Sequence, residues 1–171
     1  VYQSAFAKEF MAEEHSVDLK HLVSLGFPRN DALFRERDVI LPFISPNQEH
    51  FIIWLPTFRQ HHKYDIANMA TEMPFGLPLI QTPAQMAQLN DNLKEVKLTL
   101  VVKLHPAQKR TATLSGYDHV VMLEDEQLRT HDVQLYELIG RSSALITDYS
   151  SVIYDYLLTE RPIAVTMDDF E

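Results

Sequence analysis

Short apolar runs punctuate the chain from residue 51 onward: residues 51–55, 98–104, 120–123, 144–147 and 163–166. They are rich in Val and Ile and lack strict alternation with polar residues. Runs of this kind fit strands covered on both faces, the mark of a parallel sheet in an α/β fold. Stretches of helical period lie between them. Residues 83–96 follow Thr82, whose hydroxyl suits an N-cap, and residues 132–139 place Leu135, Leu138 and Ile139 at helical spacing. A third helix is predicted to open near Ser150. The alternation predicts βαβ crossovers and a Rossmann-like parallel sheet with helices on both faces, its ligand lying beyond the carboxyl ends of the strands.

The first fifty residues differ. An amphipathic stretch over residues 4–14 is followed by a loop over residues 26–31 and a helical turn toward Arg37. The chain therefore divides into a lead-in, residues 1–50, and an α/β domain, residues 51–171. Residues 56–82 contain Pro56, Pro74 and Pro78 with little periodicity, which predicts a long irregular connection of the kind that often carries function. The chain stops at Asp169-Phe170-Glu171, soon after the last predicted strand, and its lead-in opens within a helical pattern. Both features lead us to expect a piece of a longer protein.

Composition narrows the setting. With 171 residues, 46% of them hydrophobic, the chain suits one globular domain with a sizeable core. No apolar run approaches the roughly 18 residues of a membrane span, and no signal-peptide pattern opens the chain, so a soluble domain is expected. There is no cysteine, which removes disulfides and thiolate zinc sites and permits a reducing cytosol. A formal charge of −9 argues against a surface-wide footprint for nucleic acid or anionic membrane. Any phosphate must be held by local groups.

Three strand ends carry candidate groups. Thr147-Asp148-Tyr149-Ser150-Ser151 follows a strand and opens a helix, where hydroxyls and free N–H groups favour an anion. The alternative is that Ser150 or Ser151 only caps the helix. Asp155, four residues after Ser151, either reaches a ligand hydroxyl or is an acid favourably placed near a helix start. Lys103-Leu104-His105-Pro106 ends another run, and the proline biases His105 toward an extended backbone. The lysine and histidine suit phosphate oxygens, with a purely structural histidine as the alternative. Leu55-Pro56-Thr57-Phe58-Arg59 closes a third strand at the same edge. Arg29 reads as an anion clamp or as a solvated surface group.

Other chemistries lack their motifs: the chain has no Gly-x-Gly-x-x-Gly, Walker loop, Gly-x-Ser-x-Gly or His-Glu-x-x-His. His61-His62 has no obvious third ligand, so no protein-held metal is expected.

Taken in order, Leu25-Gly26-Phe27-Pro28-Arg29-Asn30-Asp31, Trp54-Leu55-Pro56-Thr57-Phe58-Arg59, Lys103-Leu104-His105-Pro106 and residues 132–171 resemble the CDP-glycerol glycerophosphotransferase family. That family includes teichoic-acid polymerases and related capsule enzymes. The last segment carries Thr147-Asp148-Tyr149-Ser150-Ser151, Asp155 and Arg161-Pro162-Ile163. As a set these motifs are highly specific.

The resemblance implies a GT-B arrangement of two Rossmann-like domains, of which this chain matches the C-terminal, donor-binding one. It implies a donor site of Arg29, Pro56, Thr57, Lys103, Leu104, His105, Ser150, Ser151 and Asp155, with His105 catalytic. CDP-glycerol or CDP-ribitol would be the substrate, with no tightly bound cofactor. An acceptor hydroxyl, on a polyol phosphate or glycan, would attack the β-phosphorus and CMP would leave. The family's general base, a histidine in a His-Gly motif of the N-terminal domain, has no counterpart here, because the four glycines follow Leu25, Phe75, Ser115 and Ile139. The isolated chain is therefore expected to hold nucleotide but turn over poorly. The resemblance also implies work at the cytoplasmic membrane face, any membrane contact coming from elsewhere in the full-length protein. The rival readings are a GT-B nucleotide-sugar glycosyltransferase or epimerase, and a non-catalytic α/β binding module.

Overall fold

The structure is a computed structural model that describes residues 7–36, 44, 50–57, 73–106, 108, 110 and 112–167. Phe58, Arg59, His61 and His62 lie outside the described residues. Five parallel strands form one sheet: β1 (Phe51–Leu55), β2 (Thr99–Val102), β3 (Val120–Met122), β4 (Ala144–Thr147) and β5 (Ile163–Val165). The order is β3-β2-β1-β4-β5, with Ile53 opposite Val101 on one side and Leu145 on the other. The chain thus winds outward from β1 in one direction and then in the other, which opens a crevice between the carboxyl ends of β1 and β4.

Helices cover both faces, as the apolar runs predicted. On one face, α2 (Pro83–Glu95) packs Met86 and Leu93 against Trp54, Leu100 and Val102. Its start is the predicted one: Thr82 Oγ1 accepts from the N–H of Gln85 at 3.2 Å, and Gln85 Oε1 accepts from the N–H of Thr82 at 3.0 Å. On the other face α3 (Asp125–Thr130), α4 (Leu135–Arg141) and α5 (Val152–Tyr156) bury Leu128, Leu138, Ile139 and Tyr156 against Ile53, Val101 and Leu145.

Three expectations are corrected. The helix predicted over residues 132–139 begins at Leu135, because Asp132 takes a left-handed φ of 51°, which interrupts a right-handed helix. An unpredicted short helix, α3, precedes it. And β5, at the sheet edge, leaves Ala164 and Val165 exposed, where a strand covered on both faces was expected.

Ahead of the sheet, α1 (Ala7–Glu14) buries none of its side chains. By contrast, the 3-10 helix Pro28–Phe34 lies directly on α4, and Leu33 and Ile44 join the core beside β1. Gly140 makes that approach possible: a Cβ there would sit 1.9 Å from the carbonyl oxygen of Leu33. Arg35 pairs with the buried Glu137 at 3.3 Å across the same contact. Glu137 also accepts from the N–H of Gln134 at 2.9 Å, closing the first turn of α4.

Candidate functional site

The two strand exits at the crevice are fastened to each other by side chains. Pro56 has no N–H, so the polar backbone groups at the end of β1 are the carbonyl of Leu55 and the N–H of Thr57. The Thr147 hydroxyl donates to the Leu55 carbonyl at 2.6 Å, and the Thr57 N–H donates to both Asp148 oxygens at 3.0 Å. Asp148 is buried beneath the turn it holds. Replacing Asp148 by alanine strands that N–H, so a loss of roughly 1–3 kcal/mol is expected in a denaturant titration. An unchanged midpoint would mean the Pro56-Thr57 turn does not depend on it.

Next to this junction, β2 continues past its last residue, with the Lys103 N–H donating to the Trp54 carbonyl at 3.0 Å. The Lys103 side chain is only 10% exposed and reaches Asp125 at 3.1 Å. His105 follows with its side chain exposed at the rim. Beyond β4, Ser151 sits at the N-cap of α5 in a helical conformation and makes no capping bond. Ser150 Oγ is a long 3.4 Å from the N–H of Val152. Ser151 therefore makes no cap, and Ser150 makes this long one.

Pro56, Thr57, Lys103, Leu104, His105, Ser150 and Ser151 line one open cleft of about 470 Å³. The strand-end groups singled out in sequence are therefore brought together. Leu55, Leu135, Tyr136, Ile139 and Val152 add apolar surface to the same cleft, with Pro106 and Asp125 also lining it.

Arg29 and Asp155 are not among the residues lining the cleft. They meet each other behind it. Asp155 is 2% exposed, and its Oδ2 accepts from Arg29 Nε at 3.1 Å and from the Tyr136 hydroxyl at 2.6 Å, with Arg29 Nη2 at 2.8 Å. The Arg29 guanidinium also lies over the Phe27 ring, 4.4 Å from its centroid, and 5.5 Å from that of Tyr136. Burial, and then the bond to Asp155 and its negative charge, push the Tyr136 phenol well above its usual range, with Arg29 opposing. The phenol stays neutral and donates.

Sequence reasoning missed Tyr136, Leu135, Asp125 and the fastening role of Asp148. Leu135 enters the sequence reading only as one of three positions at helical spacing, and helical spacing does not separate a core face from a cleft wall. Asp125 lies on the unpredicted α3. Asp148 stood inside a quoted motif, and a carboxylate one residue past a strand, facing a neighbouring X-Pro turn, was the available signal.

Comparison with known proteins follows the same lines. A family model described as CDP-Glycerol:Poly(glycerophosphate) glycerophosphotransferase matches residues 1–171. The teichoic acid ribitol-phosphate primase of Bacillus spizizenii is 31% identical over 175 aligned residues, which cover 97% of this chain and 39% of that protein. The teichoic acid glycerol-phosphate primase of the same organism is 29% identical, with 100% of this chain and 42% of that protein covered. The chain thus spans about two-fifths of the length of these relatives. Among solved structures, the wall teichoic acid polymerase TagF superposes with a TM-score of 0.67 at 22% identity, over 93% of this chain and 37% of that one. A TagF variant soaked with CDPG gives 0.63 at 22% identity, over 95% of this chain and 36% of that one. At such identities the superpositions speak for the fold, and they agree with the parallel sheet expected from sequence. Because the family model runs from the first residue to the last, the chain belongs to the CDP-glycerol:poly(glycerophosphate) glycerophosphotransferase family.

Proposed function

We propose that this chain forms the donor-binding part of a phosphotransferase that moves glycerol phosphate or ribitol phosphate from a CDP-activated donor to an acceptor hydroxyl in teichoic-acid or capsule-type polymer synthesis. The observation that carries this reading is the convergence of three strand ends on one cleft lined by two unlike sets of residues. Lys103, His105, Ser150 and Ser151 supply an ammonium, an imidazole and two hydroxyls, and Leu55, Leu135, Tyr136 and Val152 supply apolar surface. A nucleoside diphosphate ester has the same division between a charged pyrophosphate and a flat, weakly polar base.

In the proposed reaction the acceptor oxygen bonds to the β-phosphorus, the bond from that phosphorus to the bridging oxygen breaks, and CMP leaves carrying the bridging oxygen. The chain's share is orientation and charge stabilisation. His105, at the exposed rim, would stabilise charge on the phosphoryl oxygens. Lys103 shares its charge with Asp125 and would orient the pyrophosphate. The serine hydroxyls and the Pro56-Thr57 turn would hold the phosphates from the β4 and β1 sides. Arg29 and Asp155 would act one layer back, through Tyr136. The proton acceptor, the acceptor substrate's contacts and any membrane contact at the cytoplasmic face would come from outside this chain; among the described residues no helix is long and apolar enough to cross a membrane. Residues 1–50 would serve as a lead-in that closes onto the 51–171 domain through Leu33, Arg29 and Arg35.

Calorimetric titration with CDP-glycerol, CDP-ribitol, CMP and UDP-glucose tests this reading. Selective binding of the cytidine compounds is expected, weakened by at least about a hundredfold in a Ser150→Ala/Ser151→Ala variant, since hydrogen bonds to charged groups contribute roughly 1.5–3 kcal/mol each. Preference for UDP-glucose would favour a nucleotide-sugar enzyme, and no binding to any of the four would favour a non-catalytic module.

A further inference from the structure

The cleft wall at Tyr136 is more organised than simple closure of a core requires. Tyr136 is half-buried, lines the cleft, and is tied at its hydroxyl to a buried carboxylate. Arg29 stands near its ring, itself held by Asp155 and Phe27. A tyrosine has only two side-chain torsions, and a 2.6 Å bond at its far end leaves the ring little freedom. Leu135 precedes it on α4 and lines the same cleft, so the cleft that holds Lys103, Ser150 and Ser151 also holds a fixed aromatic ring with an aliphatic neighbour.

We propose that the Tyr136 ring, flanked by Leu135, is the shelf on which the donor's pyrimidine base rests, with Asp155 acting behind it as a positioning residue. This rests on the donor-binding reading above and names the groups that would take the base. A heteroaromatic base gains by stacking on a ring that is already fixed, because the ordering of that ring does not oppose binding. The chain of contacts also gives Arg29 and Asp155 a defined task. They set the angle of the shelf without touching the ligand. Since every base has a π-face, the shelf favours a nucleotide over bare phosphate and does not by itself distinguish cytosine from uracil.

The test is titration of the chain with CMP, CDP and inorganic pyrophosphate, in the wild type and in Tyr136→Leu and Tyr136→Phe variants. Tyr136→Leu is expected to weaken CMP and CDP by about tenfold to a hundredfold, the range that base–aromatic stacking carries, with pyrophosphate binding unchanged. Tyr136→Phe keeps the ring and loses its anchor, so it should weaken CDP by a smaller factor and again spare pyrophosphate. CDP binding should also perturb the tyrosine absorbance of the wild type and not that of Tyr136→Leu. Equal affinity for CDP in all three proteins would overturn the shelf while leaving donor binding intact. Parallel loss of CDP and pyrophosphate would overturn it in favour of a structural role. If Tyr136→Leu does not fold, Tyr136→Phe decides by the same comparison. A wild type that binds none of the three probes would remove the donor-binding reading and this inference with it.

Discussion

Replacing His105 by glutamine is expected to lower the proposed polyol-phosphate transfer by the intact protein by about 100- to 1000-fold, the loss typical of removing one group that stabilises charge on a transferring centre. The fold and the donor affinity of this chain should change little. His105 stands exposed at the end of β2, on the rim of the cleft, and contributes nothing to either side of the hydrophobic core. Glutamine is similar in reach and can still donate a hydrogen bond, but it carries no positive charge and transfers no proton. A fall in kcat with a nearly constant KM would therefore mark a role in the transition state. Undiminished turnover would remove His105 from the catalytic assignment, and a matching rise in KM would make it a binding group.

Gly140→Ala is expected to destabilise the chain by about 3 kcal/mol or more, read as a lower urea midpoint. The added methyl would stand 1.9 Å from the Leu33 carbonyl oxygen and 2.6 Å from its carbonyl carbon and Cα. Both sides of this clash are backbone, one in α4 and the other in the 3-10 helix Pro28–Phe34, so no side-chain rotation relieves it. The relief available is to lift residues 28–34 off α4. That movement parts Arg35 from Glu137 and Arg29 from Asp155, weakening the charge pairing of two buried carboxylates. CDP binding should weaken together with stability, because the Tyr136 anchor is disturbed at the same time. An unaltered midpoint would mean that residues 28–34 do not rest on α4.

Much of the fold was legible along the chain. The runs 51–55 and 98–104, apolar without alternation, announced β1 and β2 in a covered parallel sheet, and Thr82 announced the start of α2. The placement of Lys103-Leu104-His105, Pro56-Thr57 and Ser150-Ser151 at strand ends sufficed to expect them in one cleft, since parallel strands end on the same side. Boundaries were less legible near α4, where Leu135, Leu138 and Ile139 keep helical spacing while Asp132 turns the chain before them.

What the sequence determined by itself was the set of local burial patterns, and with them the fold class, the strand-end groups and the family. Tertiary structure alone decided that Asp155 is enclosed by Arg29 and Tyr136, that Asp148 fastens β1 to β4, and that Gly140 must lack a side chain. The reason is that periodicity reports how each segment meets its surroundings, whereas Arg29 and Asp155 lie 126 positions apart and are joined only when α4, α5 and the 3-10 helix pack together.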